Sequence, residues 1–272
     1  MPLSPARQSG LSPAPFSHPF GLAVLMSQAR DESDDLVVCV HGTLDRGGSF
    51  ARLARRLETS HVVAYDRRGY QGSRSVGASA ELSVHVEDVL ATIEAAQPAG
   101  AVTLVGHSFG GVIAIAAALK APGMMSAVVA YEPPLPWLLP GGHPFRGVPL
   151  DQDPAIEVER FFRRMVSDAS WERLHDSERQ DRIDDGPAMI GDLTIVRMEV
   201  PFTLDDLSRL VPHLTIGVGT STVMTHHLES ARTVVASVPS GNLMTIDGAG
   251  HGAHLSHPDH LATLVRDAGT HG

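Results

Sequence analysis

The feature of this chain that most limits its possible folds is a repeated alternation of short apolar runs with segments of helical periodicity. The run Leu36–Val40 is apolar at every position, which is typical of a strand buried on both faces of a sheet. Runs of similar character follow at His61–Tyr65, Val102–Val105 and Ala127–Tyr131. Strands that alternate with helices in this way predict βαβ units and a parallel sheet, so the expected fold class is α/β.

Segments with apolar residues at helical spacing connect these runs. The first of them, Phe50–Leu57, has its apolar residues on one side, which predicts a helix. The same alternation returns near the end of the chain. The other predicted elements are helices at Val84–Ala96, Gly111–Lys120, Leu228–Ala236 and Asp259–Asp267, and strands at Leu214–Val218 and Leu243–Ile246.

The alternation is interrupted in the middle of the chain. The sequence Glu132-Pro133-Pro134 ends the fourth run, and up to about residue 211 helical patterns such as Phe161–Val166 and Ser170–Leu174 occur without a clear strand. A length of 272 residues suits one domain with an insertion. The predicted organisation is an extended N-terminal lead-in at 1–20, an α/β core at 21–133 and 213–272, and a helical cap or lid at 134–212.

Composition and charge narrow the range of partners. The formal charge of -10 and the lack of any basic run argue against nucleic acid and anionic membrane surfaces. The single cysteine, Cys39, lies in an apolar run and is predicted to be a buried small hydrophobe rather than a reactive thiol. The first ten residues lack signal-peptide features, and no apolar run reaches about 18 residues, so we expect a cytoplasmic protein without a membrane segment.

A strand–turn–helix motif supplies a candidate nucleophile. Gly106-His107-Ser108-Phe109-Gly110 matches G-x-S-x-G, follows the run Val102–Val105 and opens the helix predicted from Gly111. Its glycines let strand and helix approach closely, so that the Ser108 hydroxyl projects above the sheet. The N-terminal amides of the following helix would face a developing oxyanion. This context predicts that Ser108 is a catalytic nucleophile.

Three segments, taken together, resemble the α/β-hydrolase family: Val38–Thr43, Asp66–Ser73 and the Ser108 motif, in the family's order. The resemblance covers roughly residues 20–272 and is weak across the insertion. It implies a mostly parallel central sheet flanked by helices, with a helical cap insertion. It also implies an oxyanion hole made by the backbone N–H groups of Thr43 and Phe109. His41 is expected to order the loop that supplies the Thr43 amide.

The general base must be chosen among fifteen histidines. His251 ends the glycine-rich segment Thr245–His251 after the last predicted strand, which resembles the family's catalytic-histidine loop. His107 is expected to pack under the nucleophile turn, and His226-His227 to be solvated. No His-Glu-x-x-His or Cys/His ligand pattern occurs, so no metal site is predicted. The remaining candidates are interpreted as surface and helix-start histidines: His254, His257 and His260.

The acid that would orient His251 departs from the common family pattern. The loop 217–225 after the penultimate strand contains no carboxylate. Glu132, at the end of the preceding strand, is the favoured candidate, since some relatives place the acid there and the order Ser108, Glu132, His251 fits. Two alternatives stay open at this point, namely Asp247 and a serine–histidine dyad supported by Ser221 or Thr222.

These residues predict a serine hydrolase that cleaves a carboxylic ester of a small, partly apolar substrate through an acyl-enzyme, without a cofactor. Thioester, lactone, amide and C–C bonds remain open. So do a cofactor-free perhydrolase or haloperoxidase-like activity and a catalytically silent small-molecule-binding protein. The oligomeric state is not indicated. Substrate contacts are predicted for His41, Gly42, His107 and Trp137, and a solvated helix face for Arg160, Arg163, Arg164 and Arg173.

Overall fold

The computed structural model describes residues 10–29, 34–139, 150, 153–224 and 226–270. Eight strands form one sheet. Six of them pair in parallel with one another, and the two at one end of the sheet pair antiparallel. The strands are β1 (Ser12–Pro13), β2 (Val24–Ser27), β3 (Leu36–Val40), β4 (His61–Tyr65), β5 (Val102–His107), β6 (Ala127–Tyr131), β7 (His213–Gly219) and β8 (Gly241–Ile246).

The sheet has the order β1-β2-β4-β3-β5-β6-β7-β8. All pairs from β4 to β8 are parallel, and only β1 and β2 run antiparallel to their neighbours. The α/β class and the mostly parallel sheet are therefore confirmed. The sequence periodicity does not predict β1 or β2. β1 has only two residues, one of them a proline, and proline in a sheet is tolerated at an edge strand.

The central strands are buried on both faces, as their unbroken apolar sequences predict. All five residues of β3 are buried, and successive side chains point to opposite sides of the sheet. Val38 and Val40 enter the apolar core on one side, while Val37 and Cys39 enter the core on the other. The complete burial of Cys39 raises the pKa of its thiol, which agrees with the predicted inert role.

Helices cover both faces of the sheet. Val89 and Ile93 of α2 join Val112 of α3 in the core on the β3 Val38 side, and Leu261 and Val265 of α11 pack on the other side. The α-helices are α1 (Ala51–Ala54), α2 (Leu82–Ala96), α3 (Phe109–Lys120), α4 (Pro154–Met165), α5 (Asp168–Glu172), α6 (Asp176–Asp184), α7 (Gly186–Met198), α8 (Leu204–Leu207), α9 (His226–Ser237), α10 (Ala253–Ser256) and α11 (Pro258–Gly269).

Element boundaries differ from the sequence prediction where turns dominate. The helix predicted at Phe50–Leu57 is α-helical only over α1, after a 3-10 helix at Gly47–Phe50. β5 extends to His107 and α3 begins at Phe109, so a single residue separates strand from helix. Of the other predicted elements of the core, β3, β4 and β6 have their predicted bounds, and the rest are present with ends that differ by at most two residues.

The insertion between β6 and β7 is helical wherever it is described. α4 to α8 lie within it, and its described residues include no strand. A small apolar cluster of its own, Val158, Trp171 and Met189, holds α4, α5 and α7 together. Residues 140–149 and 151–152 of the predicted cap lie outside the described residues. Within the described part of the chain, every helix is too short or too polar to cross a membrane.

Candidate active site

The turn between β5 and α3 holds Ser108 in a backbone conformation that is rare for residues other than glycine. Ser108 has φ of 52° and ψ of -124°. Its N–H donates to the Tyr131 carbonyl at 2.9 Å, and its carbonyl accepts from the Gly111 N–H at 2.8 Å. A Cβ on Gly106 would collide with the Gly110 carbonyl, which explains why strand and helix approach here through glycine. The sharp turn lifts the Ser108 side chain out of the sheet.

Thr43 and Phe109 belong to the two backbone segments that meet at Ser108. Phe109 is the first residue of α3, so its N–H has no acceptor within the helix. Thr43 belongs to the loop after β3 and borders the same cavity as Ser108. A Cβ on Gly42 would stand 2.9 Å from the Ser108 Cβ, so the loop passes directly beside the serine. Both residues therefore lie beside Ser108, and their role as oxyanion donors stays a prediction.

His41 orders that loop. Its Nε2 accepts from the Arg67 N–H at 2.9 Å, so its Nδ1–H donates to the Gly42 carbonyl at 2.7 Å. The ring is fully buried, and burial, assisted by the Arg67 charge, lowers its pKa to about 3. His41 is therefore neutral at physiological pH, and it lies behind the cavity wall rather than in it.

His251 and Glu132 meet at the carboxyl edge of the sheet. Glu132 directly follows β6 and is fully buried, with a positive φ of 46°. Its Oε2 accepts from His251 Nδ1 at 2.8 Å and from the Thr222 hydroxyl at 3.2 Å. Its Oε1 accepts from the Gly219 N–H at 2.9 Å. Each carboxylate oxygen has a donor, and His251 is held with Nε2 as its unengaged nitrogen.

Burial and hydrogen bonding together set the charge states of this pair. Burial raises the pKa of Glu132, but the hydrogen bonds from His251 and Gly219 outweigh that effect and hold the pKa below its usual value. Burial lowers the pKa of His251, and the hydrogen bond to Glu132 opposes the decrease without cancelling it. At neutral pH the pair is a carboxylate and a neutral imidazole, the states required to accept a proton from serine.

The other acid candidates lie elsewhere. Asp247 is exposed and accepts from the Thr220 hydroxyl at 3.0 Å. Thr222 does contribute to the site, but through Glu132 and not by contact with His251. No hydrogen bond joins Ser108 and His251 within the described part of the chain, which is common for catalytic pairs without bound substrate. Among the candidates, Glu132 alone has the geometry of a histidine-orienting acid.

Two histidine predictions are wrong. His254, predicted at the surface, is 2% exposed, and its ring packs 5.2 Å from that of Phe50 and 4.3 Å from that of His107. His227, predicted to be solvated, is 3% exposed and stacks on His251 at 5.4 Å. No local sequence pattern indicated their burial, because it results from tertiary packing around the His251 loop. His107 also touches that loop, since its Nε2–H donates to the His251 carbonyl at 2.8 Å.

A cavity of about 300 Å³ opens above Ser108. The cap closes one side of it with apolar side chains from α4. Trp137, predicted to contact the substrate, does not line this cavity. Its indole N–H donates to the Phe202 carbonyl at 3.0 Å, and its ring packs against that of Phe202. The lining residues are Thr43, Leu44, Asp45, His107, Ser108, Phe161, Phe162, Met165, Val166, Arg182, His251, Gly252, His254 and Leu255.

A buried ion pair that the sequence analysis missed joins the cap to the loops of the site. The Arg67 guanidinium donates to Asp192 of α7, with Nη1 and Oδ1 2.9 Å apart, and both side chains are 1% exposed. Asp192 also accepts from the hydroxyls of Tyr70 at 2.7 Å and Thr43 at 2.8 Å. The loop that carries the Thr43 N–H is thus fixed by a cap residue. A lone aspartate in a helix carries no motif that could have identified it.

Two groups of side chains could hold a metal ion by proximity. In each, three ligand atoms lie within 4.8 Å of one another: Asp45, His107 and His254 in one group, and Glu132, His227 and His251 in the other. The second group is already joined by the Glu132–His251 hydrogen bond. In the first, Asp45 Oδ2 lies 3.2 Å from His254 Nε2, and burial lowers the pKa of His254, so this is a close contact between a carboxylate and a neutral imidazole.

Comparisons with known proteins agree with this architecture. The model of the alpha/beta hydrolase family matches residues 37–263. Monoglyceride lipase from Homo sapiens is 35% identical over 106 residues, which cover 36% of this chain and 34% of that protein. Lipase LipV from Mycobacterium tuberculosis is 32% identical over 97 residues, 36% of each chain. The matched stretches thus span about a third of the length of these relatives.

Solved structures match over nearly the whole chain, at identities that show the fold alone. A bromoperoxidase from Bacillus anthracis has a TM-score of 0.70 at 19% identity, covering 94% of this chain and 99% of that one. A hydrolase from Pseudomonas aeruginosa has a TM-score of 0.69 at 20% identity, covering 95% and 97%. With a family match across most of its length and the same sheet, the chain belongs to the alpha/beta hydrolase family.

Proposed function

We propose that this protein is a serine hydrolase that cleaves a carboxylic ester, or a related acyl bond, of a small and partly apolar substrate. The observation that carries the proposal is the 2.8 Å hydrogen bond from His251 Nδ1 to the buried Glu132 carboxylate, at the cavity that Ser108 borders. A hydrolase of this kind needs a nucleophile, a base and an orienting acid at one place. That two relatives are named lipases agrees with an ester substrate.

In the proposed mechanism, His251 Nε2 accepts the Ser108 hydroxyl proton as the serine oxygen attacks the substrate carbonyl. Glu132 keeps the imidazole in its reactive tautomer and stabilises the imidazolium. The N–H groups of Thr43 and Phe109 donate to the developing oxyanion. His251 then protonates the leaving group, and water activated by the same histidine releases the acid from Ser108.

The first test is the hydrolysis of p-nitrophenyl acetate. The wild-type protein is expected to release p-nitrophenol, and Ser108→Ala is expected to lower kcat by about 10³-fold or more, because the acyl-enzyme can no longer form. Ser208→Ala serves as the matched control, since this serine is exposed and its hydroxyl donates to the Asp205 carbonyl. If a well-folded Ser108→Ala protein hydrolysed the ester as fast as the wild type, the proposal would be rejected.

A further inference from the structure

One arginine of the cap borders the same cavity as Ser108 and His251. Arg182 lies on α6, and its guanidinium carbon is 5.1 Å from the centre of the Phe162 ring, which also lines the cavity. Its Nε is buried and has no hydrogen-bond acceptor. A buried N–H without an acceptor costs free energy, particularly on a charged group. Because Nε is shielded, the donors that Arg182 can offer to an occupant of the cavity are the N–H groups of its Nη atoms.

The carboxylates nearest to Arg182 along α6 are engaged elsewhere. Asp181 and Asp185 both bind Arg74, at 3.3 Å and 2.7 Å. Glu178 caps the helix by accepting from the His175 N–H at 2.8 Å. Across the described residues, Arg182 forms no ion pair, and its closest partner is the aromatic face of Phe162.

Two arginines of α4 already have carboxylate partners, which makes them less suited to bind a substrate anion. Arg160 pairs with Glu157 at 2.6 Å, and Arg163 pairs with Glu159 at 2.7 Å. Both pairs are on α4, one helical turn apart, which is the ordinary arrangement of a solvated helix face. The sequence predicted a solvated helix face for Arg160, Arg163, Arg164 and Arg173, and it gave no indication of Arg182. The structure instead brings Arg182, from the next long helix of the cap, to the cavity.

The other charged group on the cavity wall is Asp45, and it is already accompanied by two histidines. Asp45 Oδ2 lies 3.2 Å from His254 Nε2 and 3.8 Å from His107 Nδ1. Burial and the nearby positive charge of Arg46 lower the pKa of Arg182, and the neighbouring carboxylates oppose this decrease only in part. A further negative charge beside the guanidinium would therefore stabilise its charged form. An anion is favoured there and disfavoured next to Asp45. The apolar part of the wall is formed by Leu44, Phe161, Phe162, Met165, Val166 and Leu255.

We propose that Arg182 binds a carboxylate of the substrate. The guanidinium presents parallel N–H donors that match a carboxylate, and the Phe162 ring lies 5.1 Å from its central carbon. Because the cavity of about 300 Å³ contains both Arg182 and Ser108, the carboxylate and the scissile carbonyl are separated by a short apolar spacer. The substrate class is therefore a small acyl compound with a free carboxylate, such as a dicarboxylic monoester. The reaction rests on the proposed function, but the binding does not.

Paired substrates test this assignment on both sides of the scissile bond. On the acyl side, mono-p-nitrophenyl glutarate is compared with p-nitrophenyl pentanoate. On the alcohol side, the acetate ester of 4-hydroxybenzoate is compared with that of p-cresol. In at least one pair we expect kcat/KM to favour the charged member by about ten-fold or more, mainly through KM, as a charged hydrogen bond implies. Arg182→Gln removes this preference.

The matched control is Arg173→Gln, an exposed cap arginine that contacts the Ser170 hydroxyl at 3.2 Å and keeps the wild-type preference. Circular dichroism and the unfolding midpoint check that both variants are folded. If the wild type hydrolyses neutral esters but neither pair shows a preference that Arg182→Gln removes, the carboxylate assignment is overturned and the proposed function stands.

A binding measurement separates the two proposals if no ester is hydrolysed. Ser108→Ala protein is titrated with monomethyl glutarate in a calorimeter, with and without the additional Arg182→Gln change. Binding that the second change weakens by about ten-fold supports the carboxylate site even though the hydrolase proposal has failed. Absence of binding, or equal binding to both proteins, overturns it.

Discussion

At the scale of single residues, the site depends on charge states that burial imposes. Ser108 and His251 were identified from the sequence because each lies in a short glycine-rich motif after a strand. Glu132 was the favoured candidate, but Asp247 or a serine–histidine dyad also fitted the sequence. Its hydrogen bond to His251 depends on where β6 ends relative to the β8 loop, and no local pattern encodes that distance.

The first prediction at this scale concerns Glu132→Gln. The amide keeps the shape of the side chain but cannot stabilise an imidazolium, so kcat for p-nitrophenyl acetate is expected to fall by roughly 10³–10⁴-fold. Asp247→Asn, at the exposed alternative acid, should leave kcat within about two-fold of the wild type. A Glu132→Gln enzyme with unimpaired kcat would show that His251 needs no acid at this position.

The pH dependence of the same variant gives a second test. The pKa of His251 is lowered by burial, so kcat/KM of the wild type should lose half its value at a pH below the ordinary histidine value of about 6.5. Glu132 acts to raise that pKa. Its replacement therefore moves the acidic limb of the pH profile to still lower pH while the plateau falls. A limb that moves to higher pH in Glu132→Gln would contradict the assigned interaction.

At the scale of secondary-structure elements, the positions of the functional groups depend on close contacts between backbone segments. The alternation of apolar runs with helical segments predicted the parallel strands, because strands buried on both faces are apolar throughout. It did not predict β2, a half-buried strand between β1 and β4, or the contact of α7 with the Thr43 loop. That contact joins residues far apart in sequence through one aspartate, and local periodicity holds no information about it.

The turn between β5 and α3 gives a prediction about stability. Gly106→Ala places a methyl group against the backbone of Gly110 and Gly111, where no flexible side chain can move aside. The free energy of unfolding is expected to fall by more than about 2 kcal/mol. Gly123→Ala is the matched control, since nothing lies within 4 Å of a Cβ there. Urea unfolding followed by circular dichroism measures both, and equal stability of the two variants would contradict the packing described.

The buried ion pair between Arg67 and Asp192 gives a second prediction about stability. Asp192→Asn leaves the Arg67 charge buried without its carboxylate, and the free energy of unfolding should fall by about 3–5 kcal/mol. Asp205→Asn, which breaks an exposed pair with Arg209, is expected to leave the unfolding midpoint unchanged. If the two variants had the same unfolding midpoint, the ion pair between Arg67 and Asp192 would not stabilise the contact between the cap and the core.

At the scale of the whole molecule, the carboxyl edge of the sheet and the cap enclose Ser108. Several histidines are buried within this fold. Among these histidines, burial lowers the pKa of His41 and His227 to about 3 and that of His85 to about 4. In the unfolded chain each returns to the ordinary value of about 6.5. Below that pH the unfolded state binds protons that the folded state does not, so folding becomes less favourable as the pH falls.

Stability should therefore decrease steeply in mild acid. Each such histidine contributes a loss of about 1.4 kcal/mol per pH unit between pH 6.5 and its folded pKa. With three of them, the free energy of unfolding is expected to be several kcal/mol lower at pH 5.0 than at pH 7.5, measured by urea unfolding at both values. A stability that is constant over this range would mean that the three rings are protonated or solvated in the folded protein.

The most direct measurement of the central claim is the site of covalent modification by a fluorophosphonate probe, located by peptide mass mapping. The account predicts a single adduct on Ser108 in the wild type, much slower labelling in Glu132→Gln, and none in Ser108→Ala. Labelling of a folded wild-type protein at any other serine, or no labelling at all, would contradict Ser108 as the nucleophile.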